Sequence, residues 1–246
     1  MFPIDDTVPR RHPPLMVWGI IVLNALVFWY QISLSPQEAQ ALAYEWALVP
    51  RRFSDPAWAI ANGLNPYDYL PFLTNMFMHG GWGHIIGNMW VLWILGSAVE
   101  DRFGHGRFLI FYLLCGLAAS FTHYAFNAYS TVPALGASGA IAGVISAYGI
   151  MFPKARVIFM VPILFFPFFF ELPALLFALI WYLMQVIPGI SDLLHPRMGG
   201  GIAWWAHIGG FAAGAILYSL FRPRRQWAHY WRDQGYLGHG VRGEKH

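Results

Sequence analysis

Charge is scarce in this 246-residue chain: Asp, Glu, Lys and Arg make up 11% of it, against about 25% in an ordinary soluble domain. So few charges cannot clothe a chain that is 57% hydrophobic, which excludes a soluble globular protein. Cysteine is nearly absent. The lone Cys115 excludes an intramolecular disulfide and, inside an apolar run, reads as a small packing residue. HExxH does not occur, and the ten histidines are scattered without ligand spacing, so no metal site is expected. The apolar runs contain no aspartate, which removes a pair of intramembrane aspartates as catalytic groups. Internal repeats are also missing, and with them the inverted halves that mark many transporters. No cofactor is expected.

What the chain has is long apolar runs near the ~20 residues needed to cross hydrocarbon. Spans are expected at Leu15–Leu34, Trp82–Val99, Phe108–Phe126, Pro133–Phe152, Ile158–Ile187 and Ile202–Phe221. The fifth is overlong and carries Pro162, Pro167 and Pro173, so it should bend, tilt or follow a re-entrant piece. The expected fold is an all-α membrane protein, a six-helix bundle with a large first outer loop. Three parts follow: residues 1–14 as a cytoplasmic N-terminal segment, 15–221 as the core, and 222–246 as a basic-aromatic cytoplasmic tail. With the N-terminus inside, twelve of the 15 basic residues lie on the inner side, and only Arg51, Arg52 and Arg197 outside. The net charge of +3 then reflects topology, and nucleic acid is not an expected partner. The first run exceeds the ~7–15 residues of a signal-peptide core, so a retained anchor is expected. The connector from Ser35 to Gly81 contains "EAQALAYEWALVPRRF", whose apolar residues suit a helix at the membrane surface. The tail interleaves arginines with Trp227, Tyr230 and Trp231, which suits anionic membrane lipid. The sequence carries no sign of oligomeric state.

Polar groups within hydrocarbon are costly, so each one is a candidate for function. Those singled out are His84, Asn88, His123, Ser138, Ser146, Glu171, Gln185 and His207, with His79 just before the second span. Spans two, four and six should run from outside to inside. Ser138 then lies five residues past Pro133, about 8 Å of helical rise, and His207 five residues past Ile202. His84 and Asn88 fall in the first two turns of span two, one face apart by four residues. Gly139 and Gly143 adjoin Ser138, and Gly210 and Gly214 follow His207, each pair a GxxxG that permits close helix approach. Alone, each GxxxG reads as ordinary packing, and His84 with Asn88 as interhelical hydrogen bonding. Together they supply a serine nucleophile, a histidine base, and two N–H donors for an oxyanion. No acid accompanies Ser138 and His207, so a hydrolase here would use a dyad. His79, before "GGWG", reads as a loop tie.

"HGGWGHIIGNM" (His79–Met89), "GASGA" (Gly136–Ala140) and "AHIGGFAAG" (Ala206–Gly214) resemble, in chain order, the signatures of rhomboid intramembrane serine proteases. The resemblance spans roughly Leu70 to Phe221. It implies Ser138 as nucleophile, His207 as base and then acid, and His84 and Asn88 in the oxyanion hole with the Ser138 amide. It further implies span five as a lateral gate and transmembrane protein substrates cut near their outer end. The minimal six-span form points to a bacterial plasma membrane, with both termini cytoplasmic. The alternative is a catalytically inactive rhomboid-like protein that binds or sorts membrane clients. The resemblance departs twice. Some rhomboids place a tyrosine one turn after the serine to stack on the histidine, and here that position is Ala142. A Trp-Arg pair of the first connector is replaced by "VPRRF".

Overall fold

The computed structural model describes residues 2–163, 166–194 and 203–221. The tail at 222–246 and Arg197 lie outside the described residues. The chain opens with strand β1 (Phe2–Asp6) and enters helix α1 (Leu15–Ser33) through Pro13 and Pro14. Neither proline can cap a helix, and no side chain of α1's own entry does so. Glu100 takes that role from across the bundle. Its two carboxylate oxygens accept from the amides of Met16 and Val17 at 2.9 and 2.8 Å, placing negative charge on the positive end of α1.

The connector is built of short helices: α2 (Pro36–Trp46), α3 (Arg51–Ser54), α4 (Pro56–Ala61) and α5 (Pro71–Thr74). A capping box starts α2, with Ser35 and Glu38 each serving the other's backbone amide. Arg52 of "VPRRF" is fully buried and ties the connector together. Its guanidinium donates to the carbonyls of Asn65 and Glu45, both at 2.8 Å, and pairs with Asp68 at 3.3 Å. One planar fork thereby ties two other stretches of the connector, at Glu45 and at Asn65–Asp68, to α3, which a lysine could not do.

Helix α6 (Trp82–Val91) continues through a π-turn at Leu92–Gly96 into α7 (Ser97–Phe103), and α8 (His105–Phe126) follows at once. Helix α9 (Ser138–Met151) lies at the centre of the molecule, with every residue from Gly139 to Gly149 buried. Among the described residues, four helical stretches are long and apolar enough to cross a membrane: α1, Trp82–Phe103, α8 and Ala174–Leu193. Large apolar side chains stand exposed along them, including Leu26, Trp29, Leu183 and Ile187. Such a belt suits lipid rather than water. The protein is a mostly helical membrane protein.

Two sequence expectations need correcting. The fifth run does not form one long span, and the fold is not purely helical. Residues Arg156–Ile163 form strand β2 and Phe166–Pro173 form strand β3, an antiparallel pair extended by β1 in the order β1-β2-β3. Helix α10 (Ala174–Leu194) begins only after Pro173. The prolines explain the change: Pro162, Pro167 and Pro173 each forbid a helical hydrogen bond, and the intervening Val, Ile and Phe favour a pleated surface. Pro167 and Pro173 sit on the edge strand, where a missing donor is tolerated. Glu171 therefore pairs with Ile158 in a sheet and is not a helical intramembrane acid.

The last helix, α11 (Trp204–Phe221), packs along both α8 and α9. Both GxxxG pairs meet there. A side chain on Gly210 would strike the Gly139 carbonyl, and one on Gly214 the Gly143 carbonyl. Backbone therefore lies directly on backbone. Cys115 fills the remaining space beside Gly143, as a packing residue.

Candidate active site

Ser138 is the first residue of α9, and does not lie five residues into a helix starting at Pro133. The preceding stretch is extended, with Ala134 bridged to Leu48, and Gly136 donates its amide to the Asn75 carbonyl at 2.9 Å. The reason lies in Gly136, whose φ of 129° is left-handed and stops any helix from beginning earlier. The start at Ser138 has a chemical effect. Its amide is among the first four N–H groups, which a helix leaves without intrahelical acceptors and at its positive end.

His207 stands in the first turn of α11, three residues after Trp204. The close α9–α11 packing at the glycines brings its Nε2 to 2.7 Å from the Ser138 hydroxyl. His207 is buried, while Ser138 is half-buried. A cavity of about 20 Å³ adjoins the serine, lined by Asn75, Ser120, His123 and Ala206 among others. That is room for about one water molecule.

His84 and Asn88 project from one face of α6 toward the segment that leads into Ser138. A Cβ on Gly136 would lie 2.7 Å from Nε2 of His84 and 3.7 Å from Nδ2 of Asn88. Glycine is thus needed there for space as well as for backbone angle. Nδ1 of His84 accepts a long hydrogen bond from the Gly80 amide at 3.4 Å, which leaves the neutral ring's proton on Nε2, toward Gly136.

His79 is the loop tie expected of it. Gln31 of α1 grips its backbone from both sides, accepting from the His79 amide at 3.0 Å and donating to the His79 carbonyl at 3.1 Å. The side chain does more than the sequence suggested. Asn88 Nδ2 lies 3.0 Å from His79 Nε2. Burial, assisted by the neighbouring His84, pushes His79 down to about 4. The ring is therefore neutral at ordinary pH, and its Nε2 accepts from the Asn88 amide.

All four sequence-predicted residues thus gather in one place. A model of the rhomboid domain matches residues 66–224 of the chain. The protein belongs to the rhomboid family. The match covers α5 through α11, so it includes every site residue described above and starts after Arg52. The chain is 43% identical over 75 residues to rhomboid protease GluP of Bacillus subtilis (strain 168), covering 30% of this chain and 14% of that protein. It is 32% identical over 146 residues to the mitochondrial presenilin-associated rhomboid-like protein of Mus musculus, covering 57% and 34% respectively. A Danio rerio relative, presenilin-associated rhomboid-like protein A, is 35% identical over 89 residues, covering 35% and 23%. The chain spans at most about a third of the length of these relatives.

In this rhomboid, Ala142 is fully buried and offers the histidine nothing to stack on. Support comes from elsewhere. The indoles of Trp181 and Trp204 lie with centroids 5.7 and 6.4 Å from the His207 ring. Nδ1 of His207 is 2.8 Å from Oε1 of Gln185 on α10. Gln185 was visible in the sequence as one amide in an apolar run, without a partner to give it meaning. Trp205, the other indole near in sequence, stacks instead on Phe126 at 3.7 Å.

Proposed function

We propose that this protein is an intramembrane serine endopeptidase that hydrolyses transmembrane-helix substrates with a Ser138–His207 dyad. The observation that carries the reading is the 2.7 Å approach of Ser138 Oγ to His207 Nε2 at the start of a buried helix. Membership of the rhomboid family and likeness to a relative named a rhomboid protease support it.

The chemistry runs through groups already placed. The Ser138 hydroxyl gives its proton to His207 Nε2 as Oγ attacks the scissile carbonyl carbon. Negative charge moves onto the carbonyl oxygen, and the Ser138 amide, His84 Nε2–H and Asn88 Nδ2–H are the donors for it. The tetrahedral intermediate collapses as the His207 imidazolium protonates the departing amine. An acyl-enzyme remains. Water, deprotonated by the same histidine, attacks the ester and releases Ser138. No cofactor enters these steps.

The same reading supplies the finer architecture. Helices α1, α6–α7, α8, α9, α10 and α11 are six crossings, with both termini cytoplasmic in a bacterial plasma membrane. The connector of α2–α5 lies on the outer face. Substrates approach past α10 and are cut near that face.

Purified protein in liposomes should cleave a model single-span substrate, and Ser138→Ala or His207→Ala should abolish cleavage. His84→Ala or Asn88→Ala should each lose less, about 10²-fold, because other donors remain. Wild type cutting no faster than Ser138→Ala would sink the protease reading and leave a client-binding rhomboid-like protein in its place.

A further inference from the structure

We propose that Gln185 is a positioning residue for the dyad, fixing which nitrogen of His207 carries the proton. The inference rests on the serine-protease reading above. Two hydrogen bonds set the orientation of the amide. Gln185 Nε2 donates to the Trp181 carbonyl, one turn earlier on α10, at 3.0 Å. Turning the amide over would set its oxygen against that carbonyl oxygen, acceptor facing acceptor. Oε1 therefore faces His207 Nδ1, at 2.8 Å.

An amide oxygen can only accept, so the hydrogen between them belongs to Nδ1. A neutral imidazole with its proton on Nδ1 has its lone pair on Nε2, the atom 2.7 Å from Ser138 Oγ. That is the form a general base needs. The other tautomer would point an N–H at a hydroxyl that must itself give up a proton. Gln185 thus does by its carbonyl dipole what a carboxylate does in a charged triad. A carboxylate here would have to be ionised inside an apolar bundle, which is costly. Gln185 and His207 are both buried, with 7% and 9% of their surface exposed.

The three residues come from three helices: Ser138 from α9, His207 from α11 and Gln185 from α10. Trp181, on the same helix as Gln185, also faces the His207 ring. Helix α10 therefore holds the imidazole at Nδ1 and flanks the ring with a tilted indole.

The test compares wild type with Gln185→Met, which keeps the side chain's length and removes the acceptor. For a single-span substrate in liposomes, kcat should fall roughly 10- to 100-fold with KM within about twofold. Labelling of Ser138 by a fluorophosphonate should slow by the same factor. A purely structural role would instead lower the amount of folded protein or move KM. The second measurement needs no variant at Gln185: ¹⁵N NMR of imidazole-labelled wild type, with the His207 signals identified by their loss in His207→Gln. Neutral His207 protonated at Nδ1 is expected. Neutral His207 protonated at Nε2, or Gln185→Met with kcat and labelling within threefold of wild type, would overturn the proposal. If Ser138→Ala still cleaves, the protease reading fails. If Ser138→Ala is dead and Gln185→Met is normal, only the role of Gln185 fails.

Discussion

The carbonyl oxygen of Gly139 occupies the place where a side chain on Gly210 would have to go. Gly139 follows Ser138 directly, and Gly210 lies one turn beyond His207. The contact that sets the distance between α9 and α11 therefore also sets the distance between hydroxyl and imidazole.

Gly210→Ala should consequently damage both fold and chemistry. Overpacking a tight contact costs about 1–3 kcal/mol, and the strain falls on backbone that cannot rotate away. Thermal unfolding in detergent should shift down by several degrees. Any protein that remains folded should show a larger loss in kcat than in KM. Ala213→Gly, at the partly exposed position between the two glycines of this motif, is the control and should leave kcat near wild type.

Gly136→Ala tests the approach to the serine. The new methyl meets His84, and the left-handed φ adds strain of about 1–3 kcal/mol. Cleavage should fall by at least tenfold while the bundle still folds, since Gly136 lies in the loop ahead of α9. Unchanged kcat in Gly136→Ala would remove His84 from the neighbourhood of the reacting carbonyl.

Glu100 is remote from the site, and its loss should be a stability defect alone. Glu100→Ala leaves the amides of Met16 and Val17 without their acceptor, at a cost of about 2 kcal/mol. A lower melting temperature with wild-type kcat for the folded fraction is expected.

His79 gives a pH dependence whose sign is fixed. Its pKa in the fold is about 4, below the ordinary ~6.5 of the unfolded chain. Between those values the unfolded state holds a proton that the folded state lacks. Stability is complete above about pH 6.5 and is lost as pH falls toward 4, by up to a few kcal/mol. Melting temperatures from pH 7.5 to 4.5 should fall more steeply for wild type than for His79→Asn.

Much of this was legible in the sequence because hydrocarbon makes polar residues conspicuous. Ser138, His207, His84 and Asn88 stood out in apolar runs, and glycine spacing indicated which helices could touch. The limits were physical too. An apolar run rich in Phe, Val and Ile reads alike as strand or helix, so residues 156–173 looked like part of a span until their pairing was known. Gln185 and Glu100 act on groups 22 and 83–84 positions away, and no local spacing encodes such partners. The start of α9 was misplaced because the decisive feature, the backbone angle of Gly136, is a conformation and not a residue pattern.

The small sheet has a bearing on topology that composition alone does not supply. Strand β1 precedes α1, and its partner β2 follows α9, with Asp6 opposite Val157. Strands can pair only on one side of a bilayer, so the chain between them must cross an even number of times. Three stretches of sufficient length, α1, Trp82–Phe103 and α8, lie in that interval. If each of the three crosses, as in the six-crossing reading proposed above, parity calls for a fourth. The 14-residue α9, only about 21 Å long, is the shorter apolar helix in that interval that would carry the chain back.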